Sequence, residues 1–114
     1  MAAEGAGLGT RFLKHLARTR LLLHLIDAAP LEDSPSPAEQ VRTIERELAA
    51  FGQALSDKER WLVLNKIDLL SAETLRQQRD SMVAELDWSG PVFAISAITG
   101  DGIQPLAKSL MERL

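Results

Sequence analysis

Three short apolar runs alternate with helical patterns along this chain, and this alternation limits its fold more than any other feature. The runs are Leu21–Ile26, Trp61–Leu64 and Val92–Ile95. Continuous apolar runs of this length are typical of strands that are buried on both faces of a parallel sheet. Right-handed crossovers through helices connect such strands and cover both faces of the sheet. The sequence therefore predicts an α/β fold in three layers, with three parallel strands flanked by helices.

Four helices are expected around these strands. Ser36 is a suitable N-cap, Pro37 suits the first helical position and Glu39 completes a capping box. That helix has apolar residues in steps of three and four, so one stripe is expected to face the core. The stripe consists of Val41, Ile44, Leu48, Phe51 and Leu55. The other helices are expected over Thr10–Arg18, after Ser71 as an N-cap, and after a capping box of Asp101 and Gln104.

Composition favours one small domain. The 114 residues include no cysteine, which excludes disulfides, and the net charge of -3 argues against nucleic-acid binding driven by overall charge. No apolar run is long enough to cross a bilayer, and the N-terminus lacks a signal-peptide pattern. We therefore expect a cytoplasmic protein. His24 interrupts the first apolar run, and we expect a hydrogen-bonded core histidine there rather than a metal ligand.

Polar motifs follow the second and third apolar runs directly. They are Asn65-Lys66-Ile67-Asp68 and Ser96-Ala97-Ile98. Open parallel sheets bind ligands beyond the carboxyl ends of their strands, so both motifs are expected at one edge. Together they resemble the fourth and fifth motifs of GTP-binding proteins, the asparagine-lysine-x-aspartate and serine-alanine signatures. Each motif alone is weak evidence, whereas both in this order after apolar runs favour a guanine site.

The chemistry of guanine suits these residues. Its Watson–Crick edge carries two adjacent donors, N1–H and the N2 amine, which one carboxylate such as Asp68 can accept together; adenine offers no such pair. The resemblance also implies that the backbone N–H of Ala97 contacts guanine O6 and that Asn65 braces the loop and reaches the base. It further implies that the stem of Lys66 lies over the ring and that Ser96 holds its own loop. The nucleotide-binding residues predicted in this way are Asn65, Lys66, Ile67, Asp68, Ser96, Ala97 and Ile98.

A simpler interpretation exists for each of these residues. Asn65 and Asp68 are also typical of a turn that caps the helix after Ser71. Lys66 is compatible with a solvated charge, and Ser96 with an ordinary turn residue. The joint placement of the two motifs favours the guanine site over these separate roles.

The N-terminal third narrows the resemblance. The segments Glu4–Leu16 and Arg18–Asp27 resemble the stretch after the switch-II region in Obg GTPases, where glycines and a basic helix precede a strand of Leu-His-x-Ile-Asp form. The resemblance implies that residues 1–114 are the C-terminal, guanine-recognition half of a P-loop GTPase-like domain. It also implies that the intact protein binds GTP or GDP, hydrolyses GTP with Mg²⁺, and assists assembly of the large ribosomal subunit through the ribosome or ribosomal RNA.

The chain departs from the complete family pattern in one respect. It contains no glycine-rich loop ending in Gly-Lys-Ser/Thr, no switch segment with a magnesium-binding threonine and no Asp-x-x-Gly motif ahead of the first apolar run. Phosphoryl transfer depends on those parts for positioning and charge neutralisation. We therefore expect no catalytic residue and no metal ligand within these 114 residues, and no GTP hydrolysis by this chain alone.

A different class of function is an alternative. Arg11, Lys14, His15 and Arg18 share one face of the first predicted helix. Such a face is either solvated or suited to docking on ribosomal RNA or a protein, which would make the chain a noncatalytic α/β interaction module. A GTPase family other than Obg with the same base motifs is a third alternative, against which the glycine-rich opening argues.

Overall fold

A computed structural model describes residues 20–53 and 57–114 of the chain. Its sheet has three parallel strands in the order β1-β2-β3. The strands are β1 (Leu21–Asp27), β2 (Glu59–Asn65) and β3 (Val92–Ala94). The helices are α1 (Pro37–Phe51), α2 (Ala72–Leu86) and α3 (Ile103–Arg113), with a 3₁₀ turn at Ile67–Leu69. The predicted α/β fold with parallel strands is confirmed. The predicted helix at Thr10–Arg18, and Leu55 in the stripe of α1, lie outside the described residues.

The central strand β2 carries the core on both of its faces. Alternate residues of a strand point to opposite sides of the sheet. On one side Leu62 and Leu64 belong to a cluster with residues of α1 and α2, including Val41 and Met82. On the other side Trp61 and Val63 pack with the α3 side of the fold, in a cluster formed with Ile95 and Leu106. The helices therefore lie on both faces of the sheet, which is the predicted three-layer arrangement.

The first strand differs from its prediction. We expected burial on both faces, but β1 alternates between buried and exposed positions, with Leu23 40% exposed and Leu25 62% exposed. Leu22, His24 and Ile26 occupy the buried positions between them. β1 lies at the edge of the described sheet, and α3 packs mainly over β2 and β3. On that face Leu21 still packs against the cluster of Trp61 and Leu106, whereas the described residues leave Leu23 and Leu25 uncovered. The third strand is also shorter than predicted and half-buried.

Local capping signals are confirmed for two helices and wrong for the third. Ser36 and Glu39 form both hydrogen bonds of a capping box at the start of α1. Ser71 caps α2 by accepting a hydrogen bond from the backbone N–H of Thr74. The capping box predicted from Asp101 and Gln104 does not form, because the N-cap of α3 is Gly102, which is in a left-handed conformation with φ 78°.

His24 is buried, as predicted, but its expected hydrogen bonding is wrong at one atom. The Nδ1 atom is buried and has no hydrogen-bond partner among the described residues. The pKa of His24 is lowered from 6.5 to about 4, mainly because the imidazole is buried and also because of the positive charge of Arg60. The imidazole is therefore neutral at pH 7 in the folded protein. Arg60 lies on the strand beside His24 and stacks on Trp88, with its guanidinium carbon 5.2 Å from the ring centroid.

Candidate functional site

The two polar loops that follow β2 and β3 meet at the carboxyl edge of the sheet. The strands β2 and β3 are adjacent and parallel, with Leu64 opposite Ala94, so their ends leave the sheet side by side. The backbone N–H of Ile67 donates to the carbonyl of Ile95 at 3.2 Å. This bond ties the Asn65–Asp68 loop to the chain just before Ser96. The shared edge expected from the sequence is therefore present in the fold.

Asn65 joins the loops through one side-chain oxygen. Its Oδ1 accepts a hydrogen bond from the backbone N–H of Lys66 at 2.8 Å and another from the backbone N–H of Ala97 at 3.1 Å. The bracing predicted for Asn65 thus has a direct geometric counterpart. The second bond also involves the donor that we expected to face guanine O6, so in this structure the N–H of Ala97 is directed to Asn65.

Ser96 is fully buried and organises both loops from between them. Its Oγ donates to Asp68 Oδ1 at 2.8 Å and accepts from the backbone N–H of Thr99 at 3.1 Å. One contact closes its own loop, and the other sets the orientation of the Asp68 carboxylate. Asp68 itself is exposed, so the oriented carboxylate borders solvent. An acceptor held in this way is suited to a ligand with adjacent N–H donors.

The geometry also bears on the simpler turn-and-cap interpretation. A 3₁₀ turn does form, with the N–H of Leu69 donating to the carbonyl of Lys66 at 3.0 Å. However, Ser71 caps α2, and the Asp68 side chain bonds across to Ser96 on the neighbouring loop. The turn therefore accounts for the backbone of this loop and not for the direction of the Asp68 carboxylate.

Lys66 has an unusual backbone and a fixed side chain. Its φ of 73° and ψ of 30° are left-handed, a conformation that residues other than glycine adopt rarely. Its Nζ lies 3.0 Å from Asp27 Oδ2. The lysine therefore connects the end of β2 to the end of β1. Ile67 and Ile98 complete the two motifs; Ile67 is half-buried, whereas Ile98 is 85% exposed at the rim of the site.

Asp27 and Gln40 also belong to this edge, although neither lies in the two predicted motifs. Asp27 ends β1 opposite Asn65 and meets the Lys66 ammonium, while Gln40 reaches it from α1. A signal for Asp27 was available, because it is a polar residue at the end of an apolar strand of a parallel sheet. Gln40 lies within an amphipathic helix, where nothing distinguishes it from an ordinary surface glutamine.

Residues 20–53 and 57–114 add neither a metal-binding cluster nor a membrane-spanning helix to this edge. They contain no group of three or more His, Cys, Asp or Glu side chains arranged to hold a metal ion. No helix within them has the length and apolarity needed to span a membrane. The basic face of the first predicted helix, Arg11, Lys14, His15 and Arg18, lies outside these residues.

The α/β fold of three parallel strands flanked by helices is shared with a solved structure. A solved structure that the chain resembles is translation elongation factor SelB from Methanococcus maripaludis in its apo form, with a TM-score of 0.67 and 18% sequence identity. The match covers 91% of this chain and 22% of SelB, so the chain spans about a fifth of that protein. No protein-family profile matches the chain. The resemblance to SelB establishes the fold alone.

Proposed function

We propose that the two loops recognise the guanine base of GTP or GDP. The observation that carries this proposal is the contact of Ser96 Oγ with Asp68 Oδ1 at 2.8 Å, which orients an exposed carboxylate between two adjacent strand ends. Guanine presents two neighbouring donors that a carboxylate accepts in a charge-assisted, bidentate contact. Adenine lacks this pair of donors, so the same carboxylate selects against it.

The remaining contacts follow from the arrangement around Asp68. In the proposed complex the N–H of Ala97, now directed to Asn65 Oδ1, turns or is shared so that guanine O6 accepts it. The Asn65 amide then serves both loops and the base, and the methylene stem of Lys66 covers the ring. Ile67 and Ile98 border the ring on the two loops. The full set comprises Asn65, Lys66, Ile67, Asp68, Ser96, Ala97 and Ile98.

We further propose that residues 1–114 are the guanine-recognition half of an Obg-type G domain. Support comes from the Obg-like segments Glu4–Leu16 and Arg18–Asp27, and from the base motifs at neighbouring strand ends. The exposed apolar residues Leu23 and Leu25 on the edge strand also suit a further strand and helix packed beside β1. The intact protein would then hydrolyse GTP with a Mg²⁺ ion held by residues outside this chain and act in assembly of the large ribosomal subunit.

Replacing Asp68 by Asn tests the base site. The amide presents a donor toward a guanine donor, while its oxygen suits xanthine, which carries a carbonyl at C2. Hydrogen bonds to charged groups contribute about 1.5–3 kcal/mol, so GTP affinity is expected to fall roughly 10- to 100-fold. Affinity for xanthosine triphosphate is expected to rise. Both affinities are measured by titrating the ¹⁵N-labelled chain with each nucleotide.

Asp101→Asn is the matched control for this experiment. Asp101 lies on the loop after β3, is exposed, and supports that loop through its backbone carbonyl and N–H. The same chemical change at Asp101 should leave the preference for GTP intact. A variant of Asp68 that still prefers GTP to xanthosine triphosphate would mean that Asp68 is a structural turn residue.

A further inference from the structure

We infer that Asp27 is a positioning residue of the base site, acting through Lys66; the inference rests on the guanine site proposed above. Asp27 Oδ2 lies 3.0 Å from Lys66 Nζ, although the two residues are 39 positions apart in the sequence. The parallel register of β1 and β2 sets Asp27 opposite Asn65, the residue before Lys66. The carboxylate therefore stands where the lysine side chain crosses from one strand end to the other.

Hydrogen bonds restrain both the backbone and the carboxylate of Asp27. Gln40 Oε1 accepts from the backbone N–H of Asp27 at 2.9 Å, and Gln40 Nε2 donates to its carbonyl at 3.0 Å. The second carboxylate oxygen, Oδ1, accepts from the backbone N–H of Ala29 at 2.9 Å. Both the main chain and the carboxylate plane of Asp27 are thus fixed before Lys66 meets it.

Lys66 is consequently fixed at both ends of its side chain. At the backbone end, its N–H donates to Asn65 Oδ1 and its left-handed conformation begins the 3₁₀ turn. At the ammonium end, Nζ is paired with Asp27. The methylene stem between them is therefore restrained at both ends. Ordering such a flexible side chain before binding removes an entropic cost that a ligand would otherwise meet.

The exposure of the pair separates positioning from fold stability. The side chains of Lys66 and Asp27 are 47% and 33% exposed. Ion pairs in such surroundings add little to stability, so the fold does not need this contact. The contact instead joins an organised carboxylate to a residue of the base site. Its loss is expected to weaken nucleotide binding more than it weakens folding.

Asp27→Asn tests this inference in the 114-residue chain. Asparagine keeps an oxygen for Ala29 and turns an amide donor toward the Lys66 ammonium. Loss of one ordered side chain corresponds to a threefold to tenfold weaker affinity, to be measured for GDP by NMR titration. Glu85→Gln is the control, because it removes the ion pair between Arg42 and Glu85. The two side chains are 2.7 Å apart, connect two helices and lie outside the two loops. That variant should bind GDP like the unsubstituted chain.

A double-mutant cycle distinguishes positioning from a general structural effect. Lys66→Met keeps an apolar stem and removes the charge that Asp27 holds. If Asp27 acts through Lys66, adding Asp27→Asn to Lys66→Met should not weaken GDP binding further. Additive losses in the cycle, or GDP affinity unchanged in Asp27→Asn, would overturn the inference.

The same titrations separate this inference from the proposed function. If Asp68→Asn loses GDP while Asp27→Asn does not, the guanine site stands and the role of Asp27 falls. If the unsubstituted chain responds equally to GDP and ADP, the guanine site and the role of Asp27 fall together. A melting curve of Asp27→Asn that coincides with that of the parent, as expected for an exposed ion pair, shows that the fold persists.

Discussion

His24 shows how one residue in an apolar strand couples folding to pH. Its imidazole is buried in β1, Nδ1 has no hydrogen-bond partner in the described part of the chain, and its pKa is lowered to about 4. An unfolded histidine takes up a proton near pH 6.5. Between these two values the unfolded chain binds the proton and the folded chain does not. Stability from this residue is therefore complete above pH 6.5 and is lost as the pH falls toward 4.

The expected size of this loss is about 3 kcal/mol by pH 4, since each pKa unit corresponds to about 1.4 kcal/mol. Urea unfolding at pH 7 and pH 4.5 measures it in the parent chain and in His24→Leu. Carboxylates titrate in both proteins, so the difference between them isolates His24. The leucine variant should lose less stability on acidification. Parallel losses in the two proteins would show that His24 is protonated equally well in the folded and unfolded states.

Asp68 and Lys66 illustrate how much of the site can be predicted from the sequence. The motifs were found from residue types directly after apolar runs, and the structure places them at one edge. The partners of individual atoms were not readable, because they depend on neighbouring loops. Ser96 Oγ on Asp68 and Asp27 on Lys66 each join residues that are far apart in the sequence.

Among the elements, α3 differs most clearly from its prediction. Asp101 and Gln104 match a capping-box pattern, but the helix starts after Gly102. Gly102 has a φ of 78°, and a Cβ there would overlap the backbone carbonyl of Ala94. The start of α3 is thus set by how closely the loop passes the end of β3. The local capping pattern contains no information about the distance between this loop and the end of β3.

Gly102→Ala tests this close approach, with Gly100→Ala as its matched control. Gly100 has a similar φ of 88° but open space around its missing Cβ. Alanine at Gly100 should cost only the left-handed backbone penalty, about 1–2 kcal/mol. Gly102→Ala carries that penalty plus a clash with backbone, so its loss of unfolding free energy should be clearly larger. Equal losses in chemical denaturation would remove the close approach as the reason for glycine.

The strands were predicted in place but not in environment. β2 is buried on both faces, as its apolar run indicates. β1 is similarly apolar apart from His24, yet Leu23 and Leu25 are exposed in this edge strand. An apolar run indicates that a strand suits a buried position. Whether neighbours cover it depends on the order of strands and on which helices lie across them.

For the whole molecule, the proposed function predicts binding without catalysis. The sequence contains base-recognition motifs and lacks a phosphate loop, so the phosphates of a nucleotide have no cradle within it. The purified chain should therefore bind GDP weakly and release no phosphate from GTP above background in the presence of Mg²⁺. Phosphate release over several hours at high protein concentration is the measurement.

Asp68→Asn provides the control for that assay. Background release from a contaminating GTPase would be identical in the parent and variant preparations. Magnesium-dependent release that disappears in Asp68→Asn would come from this chain. That result would contradict the proposal that the catalytic parts of the domain lie elsewhere.

The short-range structural features of this chain can be predicted from its sequence alone. Capping boxes, helical periods and apolar runs involve residues within a few positions of one another, so they located the strands and the starts of α1 and α2. The base motifs can be predicted for the same reason, since each is a contiguous segment. Contacts between elements cannot be predicted in this way. The exposure of Leu23 and Leu25, the glycine at the start of α3, the buried Nδ1 of His24 and the Asp27–Lys66 pair all depend on which of the described segments pack side by side. Packing joins residues that are far apart in the sequence, and no local pattern indicates which residues these are.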